Sequence, residues 1–310
     1  MTARMHFIGV TTGQSSIIQL FPRWAEVLGL EAQIAGRDLP IGAQPDAYRE
    51  VVDEIRSDDA VRGALVTTHK VAIYEHAKDL FRGLDRWAEA CGEVSCISKV
   101  DGELVGHAKD PITSGLSMED MLGSTYWHDH PEAEVLCMGA GGSGTAITVR
   151  LLSEGRSPAR ILVTNRSTEP LDRLRRVHQQ LGAGDRVEYH AVSGPEESDA
   201  LLASLSPKSL VINATGMGKD RPGSPITDRG LFPEQGVVWE LNYRGVLRFL
   251  GQARRQEGRR QLSIHDGWRY FLHGWAEHVA EVFGLEMTPE LFGRLAAAAE
   301  PFRGGRRARQ

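Results

Sequence analysis

Glu134-Val135-Leu136-Cys137-Met138, followed at once by Gly139-Ala140-Gly141-Gly142-Ser143-Gly144 and then by Thr145-Ala146-Ile147-Thr148-Val149, reads as a strand, a glycine turn and a helix in one unbroken run. The first glycine permits the tight turn, the second lets the backbone approach a pyrophosphate, and the third lets the helix close on the strand. Amides at the start of that helix then face an anion, helped by the helix dipole. A lone G-x-G-x-x-G is a weak signal; the strand before it and the helix after it turn it into a dinucleotide site, with Gly139, Gly141, Gly142, Ser143 and Gly144 as its contacts.

Downstream, the helix is expected over 145–154, and further apolar strands are legible at 160–164, 209–213 and 236–240. Strands separated by single helices give a doubly wound, Rossmann-type sheet. A site for NAD would carry Asp or Glu at the end of the second strand, to accept the ribose 2′-hydroxyl. Here that strand ends in Asn165-Arg166-Ser167. A guanidinium fork and short hydrogen-bonding side chains suit a 2′-phosphate, so the expected cofactor is NADP.

Upstream, residues 5–110 alternate short β-branched runs with helical patterns at 18–28, 47–55 and 71–80, which predicts a second open α/β unit with a largely parallel sheet. Leu65-Val66-Thr67-Thr68-His69-Lys70 ends a strand and opens a helix, placing Lys70 at a carboxyl edge, where α/β sheets bind ligands. His69 reads as a cap for that helix. Asp101-Gly102 between extended runs predicts a hairpin that delivers Ala108-Lys109-Asp110 to the junction of the two units. Read alone, Lys70 is a solvated charge and Asp110 a helix cap. A helical segment at 268–283, rich in aromatic residues, is expected to return to the first unit. The domains are therefore set at 1–112 with 263–310 for the substrate and 113–262 for the nucleotide, with a cleft between them for substrate.

The bulk numbers agree. A chain of 310 residues exceeds what one hydrophobic core usually serves, and 41% hydrophobic with 25% charged residues is ordinary globular composition. A net charge of −5 argues against a nucleic-acid partner and for a small molecule. Cys91, Cys96 and Cys137 are too few and too poorly spaced for a disulfide framework or a zinc site. His128-Asp129-His130 offers no convincing third ligand, so no metal is assigned. With no signal pattern and no long apolar run, a cytoplasmic protein with no membrane partner is expected. The basic tail at 303–310 reads as a frayed terminus.

Taken together, the order and spacing of these motifs resemble the shikimate dehydrogenase family over nearly the whole chain. The resemblance rests on the run from Gly9 to Ser15, on Val66-Thr67 with His69-Lys70, on the run from Val100 to Gly106 with Asp110, and on the glycine turn. It continues through Asn165-Arg166-Ser167, Ile212-Asn213-Ala214-Thr215, Asn242-Tyr243 and Asp266-Gly267. It implies a Rossmann NADP-binding domain beside an open α/β substrate domain. It further implies Lys70 and Asp110 as the catalytic pair, Ser15, Thr67, Ser95 and Tyr243 at the substrate, and Thr215 and Gly267 at the cofactor. A homodimer is compatible with it.

The chain departs from the family pattern around the substrate. Ile17 stands at the place of the second amino-terminal serine, Leu65 at that of an asparagine, Ser95 and Cys96 in a Val-Asn-Thr, Lys109 in an Asn-Thr-Asp, and Gly274 at the place of the glutamine of the terminal helix. The expected substrate is accordingly a shikimate-like cyclic hydroxy acid or cyclitol with altered substituents, its anion met by Lys109 or Arg244, with Tyr270 or His273 replacing the glutamine. Two other readings remain: a regulator that binds NADP and a metabolite without turnover, and an enzyme of the methylenetetrahydrofolate dehydrogenase type.

Overall fold

The computed structural model describes residues 2–153, 158–219 and 221–303, so the basic tail from Gly304 onward and the expected helix end at Glu154 lie outside the described residues. The chain divides into two compact units: unit 1 runs to Thr113 and resumes at Phe271, and unit 2 spans Ser114–Tyr270.

Unit 1 holds β1 (Ala3–Gly9), β2 (Ala32–Asp38), β3 (Val61–Val66), β4 (Gly83–Leu84), β5 (Cys96–Val100) and β6 (Glu103–His107), in the sheet order β2-β1-β3-β5-β6-β4. β1 pairs in parallel with β2 and β3, but β5 runs antiparallel to both β3 and β6. The sheet is largely parallel, as expected: β4 pairs in parallel with β6, and β5 alone runs against the other strands. The Asp101-Gly102 hairpin reverses the chain, with both residues at positive φ (53° and 82°). β2 was not legible in the sequence because it is an edge strand whose side chains are all partly open to solvent.

Helices Pro45–Ser57 and Lys70–Ala77 cover one face of this sheet, burying Tyr48, Val52, Ile55 and Ile73 against Ile8, Ala64, Val66 and Ile97. On the other, Trp275 meets Phe7 edge-on with ring centroids 4.9 Å apart, so the returning aromatic segment does pack into unit 1. Trp24, fully buried in helix Ile17–Leu28, donates its indole N–H to the Leu295 carbonyl at 2.9 Å and ties that helix to Pro289–Ala299. Burial of such a side chain contributes on the order of 2–3 kcal/mol, and the hydrogen bond removes the cost of desolvating its N–H.

Unit 2 adds β7 (Val135–Met138), β8 (Ile161–Asn165), β9 (Val187–Ala191), β10 (Leu210–Asn213), β11 (Val237–Glu240) and β12 (Ser263–His265). Read across, the order is β9-β8-β7-β10-β11-β12, all parallel. Successive residues point to opposite faces: Val135, Cys137, Ile161, Val163 and Ile212 enter one core, and Leu136, Met138, Leu162 and Val211 the other. Burial on both faces is why these strands read as continuous apolar runs. β9, as Val-Glu-Tyr-His-Ala, and the three-residue β12 gave no such signal. Since β12 pairs with β11, unit 2 extends to Tyr270 rather than stopping at residue 262.

The helix after the glycine turn, Gly142–Ser153, is braced by His178. This fully buried ring lies 2.9 Å from the Thr148 hydroxyl through Nε2 and 2.7 Å from the Tyr189 hydroxyl through Nδ1. Thr148 donates its proton to the Gly144 carbonyl, so Nε2 is the donor and Tyr189 donates to Nδ1, which satisfies a neutral ring on both sides. Burial lowers its pKa to about 4. A histidine with a depressed folded pKa contributes stability above its unfolded value, about 6.5, and loses it as the pH falls toward the folded value. Thermal unfolding is therefore expected to shift to lower temperature between about pH 6.5 and 4. Part of that shift should vanish in His178→Gln; an equal shift in both proteins would remove the assignment.

Candidate active site

Lys70 opens helix Lys70–Ala77 just past the end of β3, and Asp110 opens helix Asp110–Leu122 just past the hairpin strand β6. The fold of unit 1 brings them together: the Lys70 ammonium donates to Asp110 Oδ2, with the two side chains 19% and 11% exposed. Asp110 is thus not simply a helix cap.

An ionised carboxylate this deep needs compensation. Burial pushes the Asp110 carboxyl upward, but the charge and hydrogen bond of Lys70, the nearby His278 and a hydrogen bond from Ser95 outweigh it and hold Asp110 below the usual carboxylate range. Ser95 is fully buried; its hydroxyl oxygen accepts from the Lys109 amide at 2.8 Å while its proton serves Asp110. The sequence reading put Ser95 at the substrate, whereas here it orients the carboxylate. His278 follows from the terminal helix, Trp268–Phe283: its Nδ1 lies 2.5 Å from the Gly274 carbonyl and its Nε2 3.0 Å from the Ser95 carbonyl, and burial lowers its pKa to about 4. Nothing in the sequence singled it out.

Several neighbouring expectations are corrected. His69 occupies the N-cap position without a capping hydrogen bond; its Nε2 donates instead to the Leu39 carbonyl at 3.0 Å. Lys109 is turned inward onto Glu281 at 2.5 Å, where His107 and Ser98 converge on the same carboxylate at 3.2 Å each. Its charge is neutralised there, so it is not placed to meet a substrate anion. His273 is stacked on Phe292 with ring centroids 3.9 Å apart, and Tyr270 packs edge-on to Trp239 at 5.5 Å. Arg244 is half-buried.

Ser15 and Thr67 are half-exposed, and the Thr67 hydroxyl also reaches the Ile8 carbonyl at 3.3 Å. Ile17 is fully buried and Leu65 is 6% exposed, so the two positions that departed from the family pattern have joined the core. A Cβ added at Gly274 would meet nothing within 4 Å, so this glycine borders open space. Tyr243, in unit 2, packs against Trp268 with centroids 5.3 Å apart.

In unit 2 the glycine turn behaves as its spacing requires. Gly139 has φ +117°, and a Cβ there would come within 2.6 Å of the Ala214 carbonyl oxygen. A Cβ on Gly144 would run into the Gly139 carbonyl, and one on Gly267 into that of Leu241, so both are close backbone approaches. At Gly141 it would meet nothing, which leaves open the side on which a pyrophosphate has to pass.

A cavity of about 370 Å³ opens at the carboxyl ends of these strands, lined by Gly139, Gly141, Asn165, Arg166 and Thr215 among the expected residues. Gly142, Ser143, Gly144, Ser167 and Gly267 do not line it. Asn165 accepts from the Ala140 amide at 3.4 Å and donates to the Ser167 carbonyl at 3.0 Å, so it fixes the turn as well as the wall. The sequence reading missed Ser193, Gly194 and Pro195 after β9, and Met217, Arg221 and Ser224 after β10, because loop residues carry no periodic signal.

Thr215 is set by a network around Glu240 that was also not foreseen. Its amide and hydroxyl both donate to Asn213 Oδ1, at 3.1 and 2.6 Å, and the Asn213 amide donates to Glu240 Oε2 at 2.6 Å. Asn242 donates its backbone and side-chain N–H groups to Oε1 at 2.8 and 2.6 Å. Glu240 is fully buried, and burial raises its pKa to about 7 against these three donors.

Fold and site together define a two-unit α/β protein with a dinucleotide crevice and a buried lysine–carboxylate pair. No family model matches the chain. It is 27% identical over 300 residues to the shikimate dehydrogenase (NADP(+)) of Methylobacterium radiotolerans, covering 96% of this chain and 97% of that one. Quinate dehydrogenase from Corynebacterium glutamicum in complex with NAD shares the fold, with a TM-score of 0.77, 20% identity and coverage of 96% and 98%. So does the ligand-free 5-ketofructose reductase of Gluconobacter, with a TM-score of 0.71, 18% identity and coverage of 96% and 98%. These likenesses bear out the resemblance carried by the motifs: the chain is similar to shikimate dehydrogenases over nearly its whole length.

The contrast between two glycines tests the crevice. Gly139→Ala is expected to lower the melting temperature and to weaken nucleotide binding by more than about tenfold, because it adds a clash to a positive φ. Gly141→Ala should leave the melting temperature within a degree or so and weaken nucleotide binding alone. Calorimetric melts and equilibrium binding on both variants separate the two effects; equal melts for both would contradict the geometry.

Proposed function

We propose that the chain is an NADP-dependent oxidoreductase that moves a hydride between NADP(H) and a secondary alcohol or ketone on a shikimate-like cyclic hydroxy acid or a related compound. The observation that carries this reading is the Lys70–Asp110 pair, buried and supported by Ser95 and His278. A surface ion pair would need none of that support. The crevice of unit 2 fits the cofactor: it has the open Gly141 side, and Arg166 stands where an acidic residue would select NAD.

The nicotinamide, when bound, accepts or returns the hydride. The residues of this chain handle the proton. In the oxidative direction the substrate C–H electron pair leaves as hydride and the hydroxyl proton passes to Lys70 in its amine form. In reduction the Lys70 ammonium returns a proton to the oxygen. Asp110, held ionised, keeps the lysine aimed and does not itself exchange the proton.

Ile17 and Leu65 in the core and open space at Gly274 support a substrate that lacks some of the hydrogen-bonding groups the family reads, since an unmet polar group in a site costs about 1–3 kcal/mol. The same erosion supports a second reading, a regulator that binds nucleotide and metabolite without turnover. A cytoplasmic location and a homodimer belong to this reading, the latter to be tested by light scattering; the three cysteines are free thiols, with burial pushing each of them up. Among the described residues no helix is long and apolar enough to cross a membrane.

NADP⁺ reduction is to be followed with shikimate, quinate, aminoshikimate and simpler cyclic hydroxy acids. Turnover with one of them should fall by about 10²–10⁴-fold in Lys70→Ala, with nucleotide affinity unchanged. Lys70→Arg should not restore it, because a guanidinium keeps its proton. Full activity in Lys70→Ala refutes the proton role, and nucleotide binding with no turnover of any candidate favours the regulator.

A further inference from the structure

The crevice of unit 2 carries two arginines, from different loops. Arg166 follows β8, where the sequence already placed a cation; Arg221 comes from the loop after β10 and lines the same cavity. Both are exposed, and neither has an ion-pair or hydrogen-bond partner for its guanidinium among the described residues. Most other arginines described as paired sit on a carboxylate, as Arg37 does on Glu54 and Arg160 on Glu134. Two unneutralised guanidinium groups lining one cavity mark a place for an anion of more than one charge.

The backbone of the second loop is tied down. The Arg221 carbonyl accepts from the Gly218 amide at 2.7 Å, and the Gly218 carbonyl accepts from Leu247 at 3.3 Å. At its far end Ser224 donates to Gln252 at 2.6 Å, and at its near end Asn213, of the Glu240 network, donates to the Met217 carbonyl at 3.3 Å. Hydrogen bonds thus hold the described residues on both sides of Arg221.

We propose that Arg221 is a second cation for the 2′-phosphate of the nucleotide, acting with Arg166 to select 2′-phosphorylated adenine nucleotides over their 2′-hydroxyl counterparts. The charge balance supports two cations: a phosphate monoester carries about −1.5 to −2 at neutral pH, so one guanidinium leaves it only partly neutralised. This rests on the nucleotide half of the reading above and is independent of the substrate and of turnover.

The test is equilibrium binding of adenosine 2′,5′-bisphosphate and of 5′-AMP to the full chain, by calorimetry, for the wild type, Arg166→Gln, Arg221→Gln, Arg221→Lys and the double glutamine variant. Arg221→Gln should weaken the bisphosphate by about tenfold and leave 5′-AMP unchanged, Arg221→Lys should recover part of the loss, and the double variant should no longer distinguish the two ligands. An unchanged bisphosphate affinity in Arg221→Gln overturns the proposal. So does an equal loss for both ligands, which would make Arg221 a packing surface for adenine. A wild-type chain that binds neither ligand removes the nucleotide reading and this proposal with it, whereas failure of every dehydrogenase assay leaves the binding result standing.

Discussion

A buried carboxylate is the constraint around which unit 1 is arranged. Left alone, Asp110 would take up a proton, because transferring an unpaired charge out of water costs several kcal/mol. It stays ionised because two side chains from other parts of unit 1 reach it, Lys70 just past β3 and Ser95 just before β5, while His278 of the terminal helix holds the Ser95 carbonyl. The mixed sheet serves this convergence. Had β5 continued the parallel pattern of β1 to β3, Ser95 would have come at the opposite edge of the sheet from Lys70, and the carboxylate would have lost one of its donors.

Unit 2 is governed by backbone proximity. At Gly139, Gly144 and Gly267 a carbonyl of a neighbouring segment occupies the space that a side chain would need. These contacts close the turn after β7 on itself and on the end of β10, and the segment after β12 on the end of β11, and the Glu240 network with Asn213 and Asn242 then sets Thr215 on the crevice wall. Backbone approaches of this kind are rigid, so the wall is formed before any ligand arrives, and a ligand meets donors already in place.

The substrate side shows how replaced side chains are absorbed. Ile17 and Leu65, the two positions that departed from the family pattern, are core residues here. Lys109 looked like a new anion contact, but a lysine beside Glu281, His107 and Ser98 is better stabilised inside that cluster than projecting into a pocket. His273 was likewise available to a pocket by helical spacing and instead stacks on Phe292. Each case has one cause: burial of a charge or ring against a partner contributed by a distant segment, which no local pattern reveals.

The sequence by itself determined the two α/β units, the parallel order around the glycine turn, the hairpin at Asp101-Gly102 and the place of Arg166, because each of these depends on spacing within a short stretch of chain: period-two burial, a positive-φ turn, a residue at the end of a strand; Lys70 and Asp110 were singled out as a pair only by the family resemblance. It did not determine β2, β9 or β12, whose side chains are mostly half-exposed and so leave no apolar pattern, nor the partners of Ser95, His278 and Glu240 or the place of Arg221 on the cavity wall. Those were decided by the tertiary structure, since what each side chain does depends on a partner or a cavity wall supplied from elsewhere in the chain, and hydrogen bonding and charge compensation act through space without regard to sequence distance.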